Sequence, residues 1–159
     1  MKILGIDPGL ERVGYGLIEQ VGSRLTPLDY GLIMTPRIDL PDRLRLIHEQ
    51  VEALVEAGHP DLIATERLLF AVNKRTAMEV AKALGVVLLV AAERGVPWME
   101  LTPPEVKLGV VGNGAADKRQ VQFMVVKLLA LTETPRPDDV ADALAVAIAS
   151  ALRGRLPRG

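Results

Sequence analysis

Cysteine is absent from this 159-residue chain, which excludes disulfide bonds, thiolate metal sites and a cysteine nucleophile in one step. Any bound metal must take oxygen ligands or one of two histidines. Aromatic residues are scarce at 3%, although 49% of the chain is hydrophobic, so the core has to come from Leu, Val, Ile and Ala. That composition favours a mixed α/β fold over an aromatic-rich sandwich. No apolar run approaches the length of a bilayer span, and the first ten residues lack a secretory leader's basic stretch and apolar core. A soluble, cytoplasmic protein with no membrane partner is expected. A positive charge excess is missing as well. The net charge of -1 argues mildly against a phosphate-binding protein, but two divalent cations held by carboxylates would reverse its sign.

The length suits one domain with a sizeable core, taken as residues 1–153, followed by a short basic tail at 154–159. Residues 2–7, 13–19 and 24–34 alternate as strands with short glycine-bearing connections, an antiparallel meander. Pro27 lacks an N–H and marks the first half of the third run as an edge or an irregular entry. From Leu40 the apolar period lengthens, with Leu44, Ile47, Val51, Leu54 and Val55 spaced for a helix that Gly58 and Pro60 end. A fourth strand is expected at 61–66 and a fifth at 98–101, where Trp98 reads as a core residue. Further helices are expected over 73–94, from Thr102 to about 110, over 118–131, and from the Pro-Asp-Asp stretch to about Arg153. His48 and His59 read as structural, with no other candidate ligand beside them.

Two strands end on acids: Asp7 closes the first and Glu66 the fourth. Asp139 and Asp142, three apart in the last helix, share a face. Each has an ordinary explanation taken alone, a turn for Asp7 and helix capping for the acids of the last helix, which suits Asp138 better than Asp142. If the first and fourth strands are neighbours, both strand-end acids reach one edge of the sheet, where open α/β sheets place their sites. Four converging carboxylates repel one another and call for cations. Oxygen ligands alone suit Mg²⁺ first and Mn²⁺ next. Two such ions, ~3.5–4 Å apart, activate water and stabilise the leaving oxygen in a phosphoryl displacement.

The segments ILGIDPG, GYG at 14–16, LPDRL at 40–44, TER around Glu66, EVK at 105–107, VVGNG at 110–114, DKRQVQ at 117–122 and DVADALA at 139–145 resemble, in order and spacing, the RuvC family of bacterial Holliday junction resolvases. The resemblance implies an α/β, ribonuclease H-like fold with a five-stranded mixed sheet flanked by helices. It implies Asp7, Glu66, Asp139 and Asp142 as catalytic, metal-binding acids with two Mg²⁺ ions per site, Mn²⁺ being the alternative. It further implies a homodimer that nicks two strands of a four-way DNA junction symmetrically, and a branch-migration helicase complex as partner. The wide apolar face of residues 77–91 is the candidate dimer interface, with core as the competing reading.

Lys107 and Lys118 match lysines expected near the scissile phosphate. Asn73, Lys74 and Arg75 open the long helix as a candidate strand contact, and Arg119 is another, with Arg153 and the tail arginines as weaker ones. The sequence departs from the family pattern where an aromatic would follow the strand-end glutamate by three: Leu69 stands there, and Phe70 is the candidate base-stacking residue in its place. Three other functions compete: a phosphotransferase of the sugar-kinase type, disfavoured because it needs two such domains; a ribonuclease H-like nuclease acting on RNA or other branched DNA; and a binding module that holds DNA without cutting it.

Overall fold

The computed structural model describes residues 1–68 and 74–153, with the backbone alone for Lys74 and Arg75. Strands β1 (Lys2–Asp7), β2 (Arg12–Val21) and β3 (Arg24–Met34) form the expected antiparallel meander. β3 is an edge strand, and the β2–β3 register shifts between Leu17 and Ile18, opposite Pro27. The proline's missing donor is tolerated there because the ladder is already interrupted. Strand β4 (Leu62–Glu66) pairs in parallel with β1, and β5 (Trp98–Leu101) in parallel with β4, giving the order β3-β2-β1-β4-β5.

Parallel neighbours need crossovers, which helices α1 (Leu40–Gly58) and α2 (Lys74–Glu93) supply. Both pack on one face of the sheet, where Ile47, Val51, Val55, Ala83, Val87 and Val90 join Leu4, Ile6 and Ile63 in one buried cluster. Helices α3 (Pro103–Val111), α4 (Lys118–Leu128) and α5 (Asp138–Arg153) cover the other face, packed on Ile3, Ile18 and Ala64. α4 stops short of the expected 131 because Ala130 takes a left-handed conformation at φ 51. Trp98 is not a core residue: it lies 41% exposed, and its indole N–H donates to Thr65 Oγ1 at 3.0 Å. β5 is the opposite edge strand, so only a part of the ring finds cover.

α5 is buried almost all round, from Val140 to Ala151. Its alanines permit a close approach to the sheet, and so do the glycines beneath it. A Cβ on Gly5 would collide with the carbonyl of Ala143 and with Ala147, and one on Gly14 with the carbonyl of Asp139. Bare backbone in β1 and β2 therefore sets how near the last helix, with its acids, comes to the strand that ends on Asp7. Among the described residues no helix is long and apolar enough to cross a membrane.

Candidate active site

Strand parity decides which side chains reach the α5 face. Ile3 packs on that side and Leu4 and Ile6 on the other, so the alternation of side chains puts Gly5 and Asp7 with Ile3. The parallel register runs from Ile3↔Leu62 to Ile6↔Thr65. Continued by one residue, it sets Asp7 beside Glu66 on the same face. Asp139 stands in the first turn of α5, over Gly14, and Asp142 follows one turn later. Asp7, Glu66 and Asp142 line one cavity, closed by Pro103, Val106 and Lys107 of α3, Lys118 and Val121 of α4, and Ala145 and Val146 of α5. Asp139 is not among the lining residues; its charge still raises Asp7, and its Oδ2 lies 3.5 Å from Arg12 Nε.

The electrostatics of the acids follow from this crowding. Asp7 is pushed up from 3.8 to about 7, first by burial and then by the charges of Asp142, Asp139 and Glu66, with Lys118 opposing. Glu66 is raised by burial and by Asp142, against Lys107 and Lys118. Burial also raises Asp142, against the pull of Lys118. Lys118 Nζ lies 3.3 Å from Asp142 Oδ2 and 3.1 Å from Asp138 Oδ2. Although burial works against its charge, these two carboxylates hold the Lys118 pKa above the ordinary lysine value. Asp138, by contrast, is half exposed and held below the usual range by its hydrogen bond from Lys118. It also accepts from Gln122 Nε2 at 3.2 Å and from Arg136 at 3.3 Å, so it braces the start of α5 and stands apart from the deeper acids.

Local sequence explains how the two lysines arrive. Thr102 and Glu105 form a reciprocal capping box that starts α3 behind two prolines and aims the helix bearing Lys107. Asp117 and Gln120 form a second box that starts α4 at Lys118. Arg119 is exposed on the same turn and outside the cavity lining. Arg153, one of the weaker phosphate candidates, donates to Glu105 Oε1 at 3.0 Å from a half-exposed position. Phe70 and Asn73 lie outside the described residues, as do the side chains of Lys74 and Arg75 and the tail at 154–159.

Two features escape sequence reasoning. Arg12 carries no assignment from the sequence, although its place five residues beyond Asp7, where the chain turns back into β2, is a usable signal. His48 does have neighbours: its Nε2 lies 2.8 Å from Glu93 Oε2, and with Glu52 the three bring ligand atoms within 4.8 Å of one another. That group joins α1 to α2, on the face of the sheet opposite the cavity. Glu52 is already held at 2.6 Å by Arg94, so the group serves as an ion-paired tie between helices.

The donor set in the cavity fits hard divalent cations. It offers carboxylate oxygens alone, and burial with the neighbouring acids disfavours the charge of its deepest member unless positive charge arrives. Among the described residues, no three of the four acids bring oxygens within 4.8 Å of one another.

The family model described as Crossover junction endodeoxyribonuclease RuvC matches residues 3–150. A relative of that same description from Desulfitobacterium hafniense is 51% identical over 152 residues, 95% of this chain and 92% of the relative. Among solved structures, RuvC of Thermus thermophilus in complex with a Holliday junction substrate superposes with a TM-score of 0.92 at 35% identity, covering 98% of this chain and 95% of that one. The yeast mitochondrial Holliday junction resolvase shares the fold, with a TM-score of 0.65 at 16% identity over 96% of this chain and 82% of that one.

Proposed function

The chain belongs to the RuvC family of crossover junction endodeoxyribonucleases, and we propose that it resolves four-way DNA junctions at the cavity where Asp7, Glu66 and Asp142 meet. The observation that carries this is the convergence of those acids in a buried cleft, where burial first and then the charges of Asp142, Asp139 and Glu66 push Asp7 up to about 7. Carboxylates raised by burial and by one another in a cleft mark a functional site, and bound cations supply the positive charge that such a cluster lacks. Asp7, Glu66, Asp139 and Asp142 would hold two divalent ions, Mg²⁺ first by ligand hardness and Mn²⁺ next. When bound, the ions supply Lewis-acid activation of water and charge neutralisation at phosphorus.

The chain's own part is placement and charge. Asp7 and Glu66 sit on adjacent strands of a rigid sheet, so their separation is set by the β1–β4 ladder rather than by loops. Lys118 lines the cavity with a half-exposed ammonium, placed to neutralise the charge that develops on the transferring phosphoryl group. Lys107 faces Glu66 from α3 and is placed to contact the backbone of the cut strand. Arg119, Lys74, Arg75 and Asn73 are the further candidates for phosphate contact on the resemblance to the family, and Phe70 is the candidate for base stacking.

A four-way junction presents two equivalent strands, and a two-fold dimer presents two equivalent cavities. α2 supplies the candidate surface. One side of it, Ala77, Ala83, Val87, Val90 and Ala91, is buried. Val80, Leu84 and Leu88, one turn apart each, stay half exposed beside an exposed Ala81, and Met78 is 60% exposed. This stripe continues the apolar face expected at 77–91 beyond what the core covers. A branch-migration helicase complex is the proposed delivery partner.

The test is nicking of a synthetic four-way junction against linear duplex, other branched DNA and an RNA–DNA hybrid, with Mg²⁺ and with chelator. Paired, symmetric, metal-dependent nicks confined to the junction are expected, together with loss of cleavage and retention of junction binding in Asp7→Asn. Preferential cutting of the hybrid, or parental cleavage by Asp7→Asn, would overturn the proposal.

A further inference from the structure

The acids of α5 face cations from two sides. On the α4 side, Lys118 serves Asp138 and Asp142 at 3.1 and 3.3 Å. On the β2 side, Arg12 Nε stands 3.5 Å from Asp139 Oδ2. The antiparallel ladder explains its arrival: Asp7 pairs with Gly14, and Arg12 opens the same strand two residues earlier. Gly14 admits the backbone of Asp139 directly above, which brings the carboxylate within reach of Arg12. The pair is not locked in the interior, since the arginine side chain is 51% exposed and the aspartate 23%. Such a pair is weak in water. A guanidinium is permanently charged, and its planar fork matches phosphate as well as carboxylate.

We propose that Arg12 is a positioning residue with two alternating partners: it holds Asp139 while the acids carry no divalent cation, and releases it to face a phosphate of the bound strand when they do. This rests on the reading of the acids as a cation site. Arg12 then competes with the cation for Asp139 in the free protein and adds one phosphate contact in the loaded complex. Electrostatics favour one pairing in each state, because the positive charge leaves Asp139 only when another takes its place and a new anion becomes available.

The experiment compares the parent, Arg12→Gln and Arg12→Lys as full chains. Mn²⁺ affinity is measured by calorimetry without DNA. Junction affinity is measured across a salt series in chelator and in Ca²⁺. Arg12→Gln is expected to bind Mn²⁺ about two- to five-fold more tightly than the parent, the worth of an exposed ion pair removed. Its plot of log affinity against log salt should be shallower than the parent's by about 0.9 in Ca²⁺ and unchanged in chelator. Arg12→Lys keeps the charge and should restore most of both. Weaker or equal Mn²⁺ binding by Arg12→Gln would make Arg12 a brace for Asp139 and overturn the exchange. A slope change of equal size in both conditions would make it a constant phosphate contact, which overturns the exchange as well. Asp7→Asn separates the premise from the proposal: it should weaken Mn²⁺ binding at least about tenfold, and Mn²⁺ binding left untouched by it would sink the cation site and the role of Arg12 together.

Discussion

Replacing Asp7 by Asn should stabilise the protein in the absence of metal, and the gain should grow with pH. Asp7 moves from an ordinary 3.8 to about 7 in the fold, because burial and three neighbouring acids disfavour its charge. Between those values the folded state keeps a proton that the unfolded chain has lost. Stability contributed by this group is therefore fully present below the unfolded value and falls as pH rises toward the folded one, at about 1.4 kcal/mol per pH unit. Over the whole interval the cost of ionising Asp7 reaches about 4 kcal/mol. Asn has nearly the same shape and no charge, so the variant escapes the cost. For a domain of this size the difference corresponds to about 10 °C in Tm. Urea unfolding or calorimetry in chelator at pH 5 and pH 8 would measure it. The gap in favour of Asp7→Asn should be about 1.5 kcal/mol at pH 5 and about 4 at pH 8. Adding Mg²⁺ at ten times its Kd should then narrow the gap at pH 8 by about 1.4 kcal/mol, because only the parent gains the full binding energy. A gap that does not change with pH, or an Asn variant less stable at pH 8, would show that burial and the neighbouring acids do not raise Asp7.

Gly14→Ala should drive a methyl group into the Asp139 carbonyl, destabilise the fold by about 1–3 kcal/mol, and lower nicking about a hundredfold in the folded fraction by displacing the acids of α5; thermal melts and single-turnover nicking separate the two effects. Lys118→Ala should change stability by less than about 1 kcal/mol, since the side chain is half exposed, but slow single-turnover nicking by about 10²–10³; equal losses in a stability assay would contradict a role at phosphorus. Thr102→Ala removes half of the capping box that starts α3 and should cost about 1 kcal/mol, read by chemical unfolding. Leu84→Glu places a charge in the half-exposed stripe of α2 and should leave monomers in sedimentation analysis that nick one strand at a time; an unchanged dimer would move the interface elsewhere.

What could be read along the chain was whatever depends on neighbours in sequence. The alternation of residues 2–7, 13–19 and 24–34 gave the meander, and the spacing of Leu44, Ile47, Val51 and Val55 gave α1 almost to the residue. The capped start at Thr102 and the disruption at Pro27 were equally local, because caps and missing donors act within one turn. Failures came where burial depends on what lies across the fold. Trp98 has the composition of a core residue, but the strand that carries it is an edge. The face of α2 at 77–91 was open between core and interface for the same reason, and the fold buries only one side of it.

The sequence by itself determined the kinds of chemistry available: oxygen ligands without sulfur, two strand-end acids, and two more acids three residues apart on a helix. Only the tertiary structure decided that they meet. The parallel register of β1 with β4 sets Asp7 beside Glu66, and the bare backbone at Gly5 and Gly14 lets α5 sink until Asp139 and Asp142 join them. It also decided which cation answers which acid, Arg12 for Asp139 and Lys118 for Asp142. Propensity and capping act over a few residues, whereas Coulomb interaction and steric contact act through space. A carboxylate's charge state is therefore set by neighbours that the chain order does not reveal.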